Sequence, residues 1–345
     1  MQLQALKAGF FPYVLQAALA LGPQTVLADN YSDQPQVQTF IDMMVDKHGF
    51  EREELVVVFN EAQRREDILE LMRKPAEKRL QWHEYRKIFL TPARTDGGVA
   101  FWKENAAALS KAEAAFGVAP QVVVAIIGVE TRYGSNTGRH RVLDALSTLA
   151  FDYPPRSEFF TGELEQYLLL AREEDIDVVT TTGSYAGAMG GPQFISSSYR
   201  AYAADGDGDG RIDLWQSWPD VFASVANYFK AHKWQTAGRV VTRANGDVPQ
   251  TALSKGLRLD QTPSGLSAAG VEFDCDGNTG DKAMLFELEQ ENGPEYWVGF
   301  QNFYVITRYN RSAMYAMAVY QLATELAAAS GMATTTASHA ATEAR

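Results

Sequence analysis

The sequence places a carboxylate at the end of an otherwise apolar helix. In PQVVVAIIGVETRYG, Val122, Val123, Val124, Ala125, Ile126, Ile127 and Val129 cover every side of the predicted helix, and Glu130 follows. Such a helix is buried all round. Burial disfavours the charged form of a carboxyl and raises its pKa. An acid still protonated near neutral pH is what a general acid requires. TRYGSNTG comes next, where Gly134 and Gly138 permit a close approach of backbone to ligand. The competing reading of the same spacing is an ion pair between Glu130 and Arg132 or another base.

Three further clusters carry chemistry. GSYAGAMGGPQF, from Gly183 to Phe194, suits a backbone wall against a flat ligand, with Ser184 and Gln193 as hydrogen-bonding groups. It lacks the strand context of a phosphate loop, and Ser184 has no Ser-His-Asp signature around it. A tight packing loop between helices reads equally well. DGDGDGRIDLWQSWPD sets Asp205, Asp207 and Asp209 at alternating positions, then Gly210, the Arg211 carbonyl and Asp213. This is the oxygen order of an EF-hand loop, with glycine at its sharp turn. Four carboxylates this close repel one another without a cation, so a structural Ca2+ is expected; a solvated acidic turn is the alternative. Gln216 stands where a bidentate Glu is usual, and either it or Asp220 closes the loop. Finally, Trp82, Tyr85, Trp102, Tyr133, Tyr228, Tyr309 and Tyr315 recur near these motifs. Sugar rings stack on such faces, although any single aromatic at helical spacing reads first as core.

Helices must position most of these groups. Val37, Phe40, Ile41 and Met44 form one stripe, ended by a C-cap at Gly49, and helical patterning runs on to about Phe89 with a break at Pro75. TPARTDGG, Thr91 to Gly98, reads as a loop, and Ala100 to Phe116 as one amphipathic helix. Helices continue through VLDALSTLAF, EFFTGELEQYLLLAREEDID and WPDVFASVANYFKAHKW. From about Thr236 the pattern alternates, with Asn-Gly and Asp-Gly turns, and a hairpin is expected to turn at Asn292-Gly293. Helix returns in SAMYAMAVYQLATELAAA. The chain therefore reads as mainly α (α+β). The expected divisions are a signal peptide over 1–28, a helical domain over 29–100 completed by 305–328, a core over 101–235, a small β domain over 236–304 and a disordered tail over 329–345.

The 345 residues are 46% hydrophobic and 21% charged, ordinary for a globular chain with a sizeable core. Lys plus Arg total 31 against 43 for Asp plus Glu, a net charge of -12, which argues against binding nucleic acid through phosphates. The single cysteine, Cys275, excludes an intramolecular disulfide and a Cys-based zinc site. It lies between Asp274 and Asp276, which disfavour a thiolate. Lys7, the apolar run from Ala8 to Leu21 and the small-residue site at Val26-Leu27-Ala28 have the order of a secretory signal.

Taken together, IIGVETRYGSNTG, LDALSTLAFDYPPRSEFF, GSYAGAMGGPQF, DGDGDGRIDLW, SVANYFKAHKW and FYVITRYNRSAMYAMAVYQL resemble the membrane-bound lytic transglycosylase B family of peptidoglycan-cleaving enzymes, from about Pro35 to Leu326. The resemblance implies a lysozyme-like helical core with an EF-hand-like loop, an additional helical domain and a small β domain. It implies cleavage of the β-1,4 bond between N-acetylmuramic acid and N-acetylglucosamine, leaving a 1,6-anhydromuramoyl end. Glu130 matches the family's sole catalytic acid/base. Tyr85, Arg156, Ser184, Gln193, Tyr228, Tyr309, Asn310 and Tyr315 fall where the family lines its sugar groove. Asp205, Asp207, Asp209, Arg211, Asp213 and Asp220 are the implied Ca2+ ligands. Pro155 replaces the second of two adjacent basic residues, Gly191 stands where an aromatic is common, and the calcium loop is one residue longer before Asp220. The expected partners are peptidoglycan glycan strands and unidentified proteins of cell-wall synthesis or division, with no nucleic acid and no organic cofactor. With no cysteine near Ala28 for lipid attachment, a soluble periplasmic location or one peripheral to the outer membrane is expected.

One carboxylate suffices for that reaction. An ordinary glycosidase needs two carboxyls, about 5–5.5 Å apart for retention and farther for inversion. TRYGSNTG offers no second carboxyl, and the substrate's own C6 hydroxyl can replace one as an intramolecular nucleophile. The rival functions are a hydrolytic muramidase using the same groove and a non-catalytic, calcium-dependent cell-wall binding protein.

Overall fold

The computed structural model describes residues 31–73, 80–275 and 282–331. The expected signal segment, 1–28, and residues 332–345 of the expected tail lie outside the described residues. Helices α1 (Pro35–His48), α2 (Arg52–Glu61), α3 (Glu66–Arg73), α4 (Trp82–Phe89), α5 (Pro92–Glu104), α6 (Ala106–Phe116) and α7 (Pro120–Thr131) come first. They are followed by β1 (His140–Arg141), α8 (Val142–Phe151), α9 (Ser157–Glu174), β2 (Thr182–Gly183), α10 (Ser196–Tyr202) and α11 (Trp218–Ala231). The chain then forms β3 (Val241–Asn245), α12 (Pro263–Ala268), β4 (Glu272–Phe273), β5 (Met284–Gln290), β6 (Gly293–Gly299), α13 (Gln301–Tyr309) and α14 (Ala313–Ser330). The class is mainly α with two small antiparallel sheets, as expected.

Local chemistry explains most boundaries. Pro35 opens α1, its stripe of Val37, Phe40, Ile41 and Met44 is buried, and Gly49 ends it at φ 64°. Pro120 opens α7, and every residue from Pro120 to Val129 is buried. The TPARTDGG segment is a correction: it is helical from Pro92, not a loop. Thr91 caps α5 by accepting the Arg94 amide at 3.3 Å, and Pro92 supplies a favourable first-turn residue. The expected single helix from Ala100 to Phe116 is broken at Asn105, where α5 ends and α6 begins. The hairpin also differs by one residue. Gln290 pairs with Gly293, so Glu291 and Asn292 form the two-residue turn, and Gly293 (φ 106°) opens β6.

Two compact units interleave along the chain. One comprises, among the described residues, 80–133 and 222–331; the other comprises 31–73 and 134–221. These units differ in their bounds from the divisions read from the sequence, of which the helical domain, 29–100 completed by 305–328, was itself discontinuous. In the first unit, α7 packs against α5, α6 and α14, and α14 also meets α4 and α13. Its four-stranded sheet has the order β4-β3-β6-β5. Ala244, Leu285 and Val298 lie on one face of that sheet and pack with Ala252, Leu266, Val271, Ala283 and Phe300. In the second unit, α8 packs on α9 and α3, and α9 on α10. β1 and β2 pair antiparallel, with His140 opposite Gly183. No single helix among the described residues is long and apolar enough to cross a membrane.

Candidate active site

Glu130 occupies the last turn of α7 and is half-buried at the end of that apolar helix. Its Oε1 accepts a hydrogen bond of 2.5 Å from the Tyr315 hydroxyl, across 185 positions of sequence. Tyr315 is fully buried in the first turn of α14. The Ser312 hydroxyl caps that turn by accepting the Tyr315 amide at 3.2 Å. A buried residue in a capped turn therefore holds the carboxyl. Burial pushes the Tyr315 phenol well above its usual range, and the nearby Glu130, Tyr309 and Tyr85 push it the same way. It stays protonated and remains a donor to the carboxyl.

The aromatic residues named from the sequence gather in the same unit. Tyr309 ends α13, with its ring 5.0 Å from that of Tyr228. The Tyr228 hydroxyl donates to the Arg308 carbonyl at 2.6 Å, and its ring stacks on His232 at 4.1 Å. The His232 Nδ1 lies 2.8 Å from the Tyr228 carbonyl. Burial lowers the pKa of His232, so it is neutral near pH 7. Tyr85 is 2% exposed on α4, its ring 5.1 Å from that of Phe89. Asn310 is buried directly after α13, with a side-chain nitrogen that has no hydrogen-bond partner among the described residues. Glu130, Tyr85, Tyr228, Tyr309, Asn310 and Tyr315 thus belong to one unit, and Arg156, Ser184, Gln193 and the acidic loop belong to the other.

In that second unit the Gly183–Phe194 segment is a tightly bonded loop. The Ser184 hydroxyl accepts the amides of Ala188 at 3.0 Å and Ala186 at 3.3 Å, a loop-closing role in place of a nucleophile's. Gln193 is buried at φ 52°, and its side-chain nitrogen donates to the carbonyls of Thr137 and Gly190, both at 3.0 Å. TRYGSNTG meets this loop backbone to backbone. A Cβ on Gly138 would lie 2.1 Å from the Gly183 carbonyl carbon and oxygen, so only glycine fits. Arg156 lies with its guanidinium 4.4 Å over Phe159 and 5.0 Å over Phe160.

The acidic loop has the chemistry of a hard-cation site. Asp205, Asp207 and Asp209 are exposed, and each offers an oxygen within 4.8 Å of the others. Asp205 accepts the amides of Gly208 at 2.6 Å and Gly210 at 2.8 Å, which curls the loop around its carboxylate. Asp213 accepts the amides of Trp215 and Gln216 and so caps the following turn. Asp220 is buried, and its two oxygens accept the amides of Gly206 at 2.7 Å and Asp213 at 2.8 Å. Asp220 thereby ties Gly206 to Asp213. The all-oxygen donor set fits Ca2+.

Glu163 and Arg94 are among the buried charged residues that escaped the sequence reading. Glu163 accepts the Ser197 hydroxyl at 2.6 Å and its amide at 2.9 Å, holding the first turn of α10. Burial raises its pKa, and Ser197 and Arg156 oppose that. Its signal was an acid on the same helical stripe as Phe160, Leu164 and Tyr167. Arg94, buried in α5, was hidden inside the segment read as a loop.

The model of the Transglycosylase SLT domain family matches residues 32–324. The chain is 44% identical over 312 residues to membrane-bound lytic murein transglycosylase B of Escherichia coli, covering 88% of this chain and 86% of that one. Its fold matches the crystal structure of soluble lytic transglycosylase SltB1 from Pseudomonas aeruginosa at a TM-score of 0.82 and 49% identity, covering 86% of this chain and all of that one. It also matches Escherichia coli Slt35 in complex with calcium at a TM-score of 0.81 and 45% identity, covering 89% of this chain and 97% of that one. The lysozyme-like fold expected from the sequence is the fold of these proteins. The chain belongs to the Transglycosylase SLT domain family and is a lytic murein transglycosylase.

Proposed function

We propose that the chain cleaves the MurNAc-β-1,4-GlcNAc bond of peptidoglycan and leaves a 1,6-anhydromuramic acid end, with Glu130 as the one acid and base. The observation that carries this reading is the Tyr315–Glu130 hydrogen bond, which orients a carboxyl at the mouth of a rigid apolar helix. In the first step the Glu130 carboxylic acid protonates the glycosidic oxygen, and the C1–O bond breaks with its electrons leaving on the GlcNAc side. In the second step the Glu130 carboxylate removes the C6 hydroxyl proton as that oxygen bonds to C1. Glu130 is then protonated again, and no water enters. The C6 hydroxyl competes with solvent through proximity, because it is already tethered to the ring it attacks. The neutral Tyr315 phenol donates to the carboxylate during the second step.

Tyr85, Tyr228, Tyr309, Asn310, Arg156, Ser184 and Gln193 are assigned to the glycan strand. The Asn310 side-chain nitrogen, buried and without a partner among the described residues, suits a sugar hydroxyl or acetamide oxygen. Asp205, Asp207, Asp209, the Arg211 carbonyl, Asp213 and Asp220 would hold a structural Ca2+ in an EF-hand-like loop, which would neutralise their charge. Because the substrate is murein, the enzyme is assigned to the periplasm, where murein lies, with the N-terminal segment as its export signal.

Glu130→Gln tests the assignment. Release of fragments from purified sacculi should fall on the order of 10³-fold or more, with an unchanged thermal melt. Retained release would remove Glu130 from the mechanism. Calcium chelation should lower the melting temperature, and added Ca2+ should restore it; an unchanged melt would assign the acidic loop to solvent.

A further inference from the structure

Arg94 is 7% exposed, and no carboxylate among the described residues pairs with it. Taking a cation out of water without a counter-charge is costly, so its surroundings must compensate. Its guanidinium donates to the Gly128 carbonyl and, at 3.3 Å, to the Ile88 carbonyl, and lies 5.5 Å from the centre of the Phe89 ring. Gly128 is in the last turn of α7 and Ile88 in the last turn of α4. Helix C-terminal carbonyls carry partial negative charge, which suits a buried cation. Gly128 lies two residues before Glu130.

A second restraint closes on the other side of Glu130. Arg132 and Tyr133 both adopt left-handed backbone, at φ 50° and 59°. Their amides bond to the carbonyls of Gly128 and Ile127, each at 3.3 Å, sealing the end of α7 in the manner glycine usually serves. The turn carries the Tyr133 ring back over α5 and α7. A Cβ on Gly98 would lie 2.4 Å from the Tyr133 hydroxyl oxygen, and one on Gly128 would lie 2.7 Å from it. The Tyr133 hydroxyl donates to the Arg94 carbonyl at 2.8 Å. Arg94 therefore grips α7 through its side chain and is gripped through its backbone by the residue three positions after Glu130.

We propose that Arg94 and Tyr133 are positioning residues for Glu130, together fixing the final turn of α7 so that the carboxyl meets the glycosidic oxygen in register. This inference rests on the acid–base role of Glu130 and extends it to two residues that need not touch substrate.

Steady-state kinetics on solubilised glycan strands, below the melting temperature of each variant, test it. Arg94→Lys keeps the charge but loses the planar fork that spans two carbonyls. Its kcat should fall on the order of 10- to 100-fold with KM unchanged, as expected when a reacting group is displaced by about an ångström. Tyr133→Phe removes one hydroxyl and should lower kcat in the same sense by less, again at constant KM. A merely structural role would lower the melting temperature and leave kcat of the folded enzyme intact. That result, or a rise in KM at constant kcat, overturns the proposal. Should Arg94→Lys fail to fold, Tyr133→Phe decides by the same criterion. Glu130→Gln is run alongside. If it still cleaves, the acid–base reading fails; if it is dead while Arg94→Lys and Tyr133→Phe keep full kcat, only the clamp fails.

Discussion

Tyr315 gives Glu130 a partner unlike the second carboxyl of an ordinary glycosidase. A buried phenol donates and does not attack, so it supports the carboxyl in both of its proposed states without competing for C1. A hydrogen bond to a charged group contributes about 1.5–3 kcal/mol. Tyr315→Phe, which keeps the ring in its fully buried site, should therefore lower kcat about tenfold or more and leave KM near the wild-type value. Steady-state kinetics on glycan strands check this, and a variant with wild-type kcat would show that the bond holds the fold alone. The sequence exposed Glu130 because an acid among valines and isoleucines breaks a pattern. It placed Tyr315 among the recurring aromatics and assigned it to the sugar groove through resemblance, but no local pattern links it to Glu130, 185 positions away. Ser184 shows the reverse case. Its place in a Gly-rich segment suggested a hydrogen-bonding wall against a ligand, while its hydroxyl also closes its own loop.

At the scale of elements, periodicity was a good guide wherever burial was complete. The all-round apolar α7, the stripe of α1 with its glycine cap and the alternation of β5 and β6 follow from side-chain pattern alone. The start of α5 did not. Its paired glycines, Gly97 and Gly98, weaken local helix preference, yet Gly98 is required where the Tyr133 ring presses on the helix. Tertiary packing overrode propensity there. The small sheet of the second unit carries its own pH dependence. His140, in β1 opposite Gly183, is 3% exposed, and burial pushes its pKa from 6.5 to about 4. Asp67 opposes that shift, whereas Arg65 and Arg139 reinforce it. Because the folded-state pKa is depressed, the stability tied to neutral His140 is complete above about pH 6.5. It is lost as pH falls towards about 4, where the unfolded chain binds a proton that the folded chain refuses. The full difference is about 3 kcal/mol. Thermal melts between pH 7 and pH 4 should fall less steeply for His140→Gln than for wild type, and equal slopes would contradict this account.

Over the whole molecule, what composition could not convey is the way the chain divides. Two units draw alternately on separated stretches, so the segment that carries Glu130 ends at Tyr133 and the chain passes into the other unit at Gly134, within TRYGSNTG. Composition changes along the chain mark where strands replace helices and are blind to such interleaving. The same organisation assigns the proposed acid to one unit and the loop of Ser184 and Gln193 to the other, each with its own core. The central claim is that a single carboxyl, oriented by a buried tyrosine, lets the sugar displace its own neighbour. Mass analysis of the muropeptides released from purified sacculi tests it most directly. Every new muramoyl end should be the anhydro form, lighter by one water than a reducing end. Reducing ends as the main product would identify hydrolysis and overturn the mechanism.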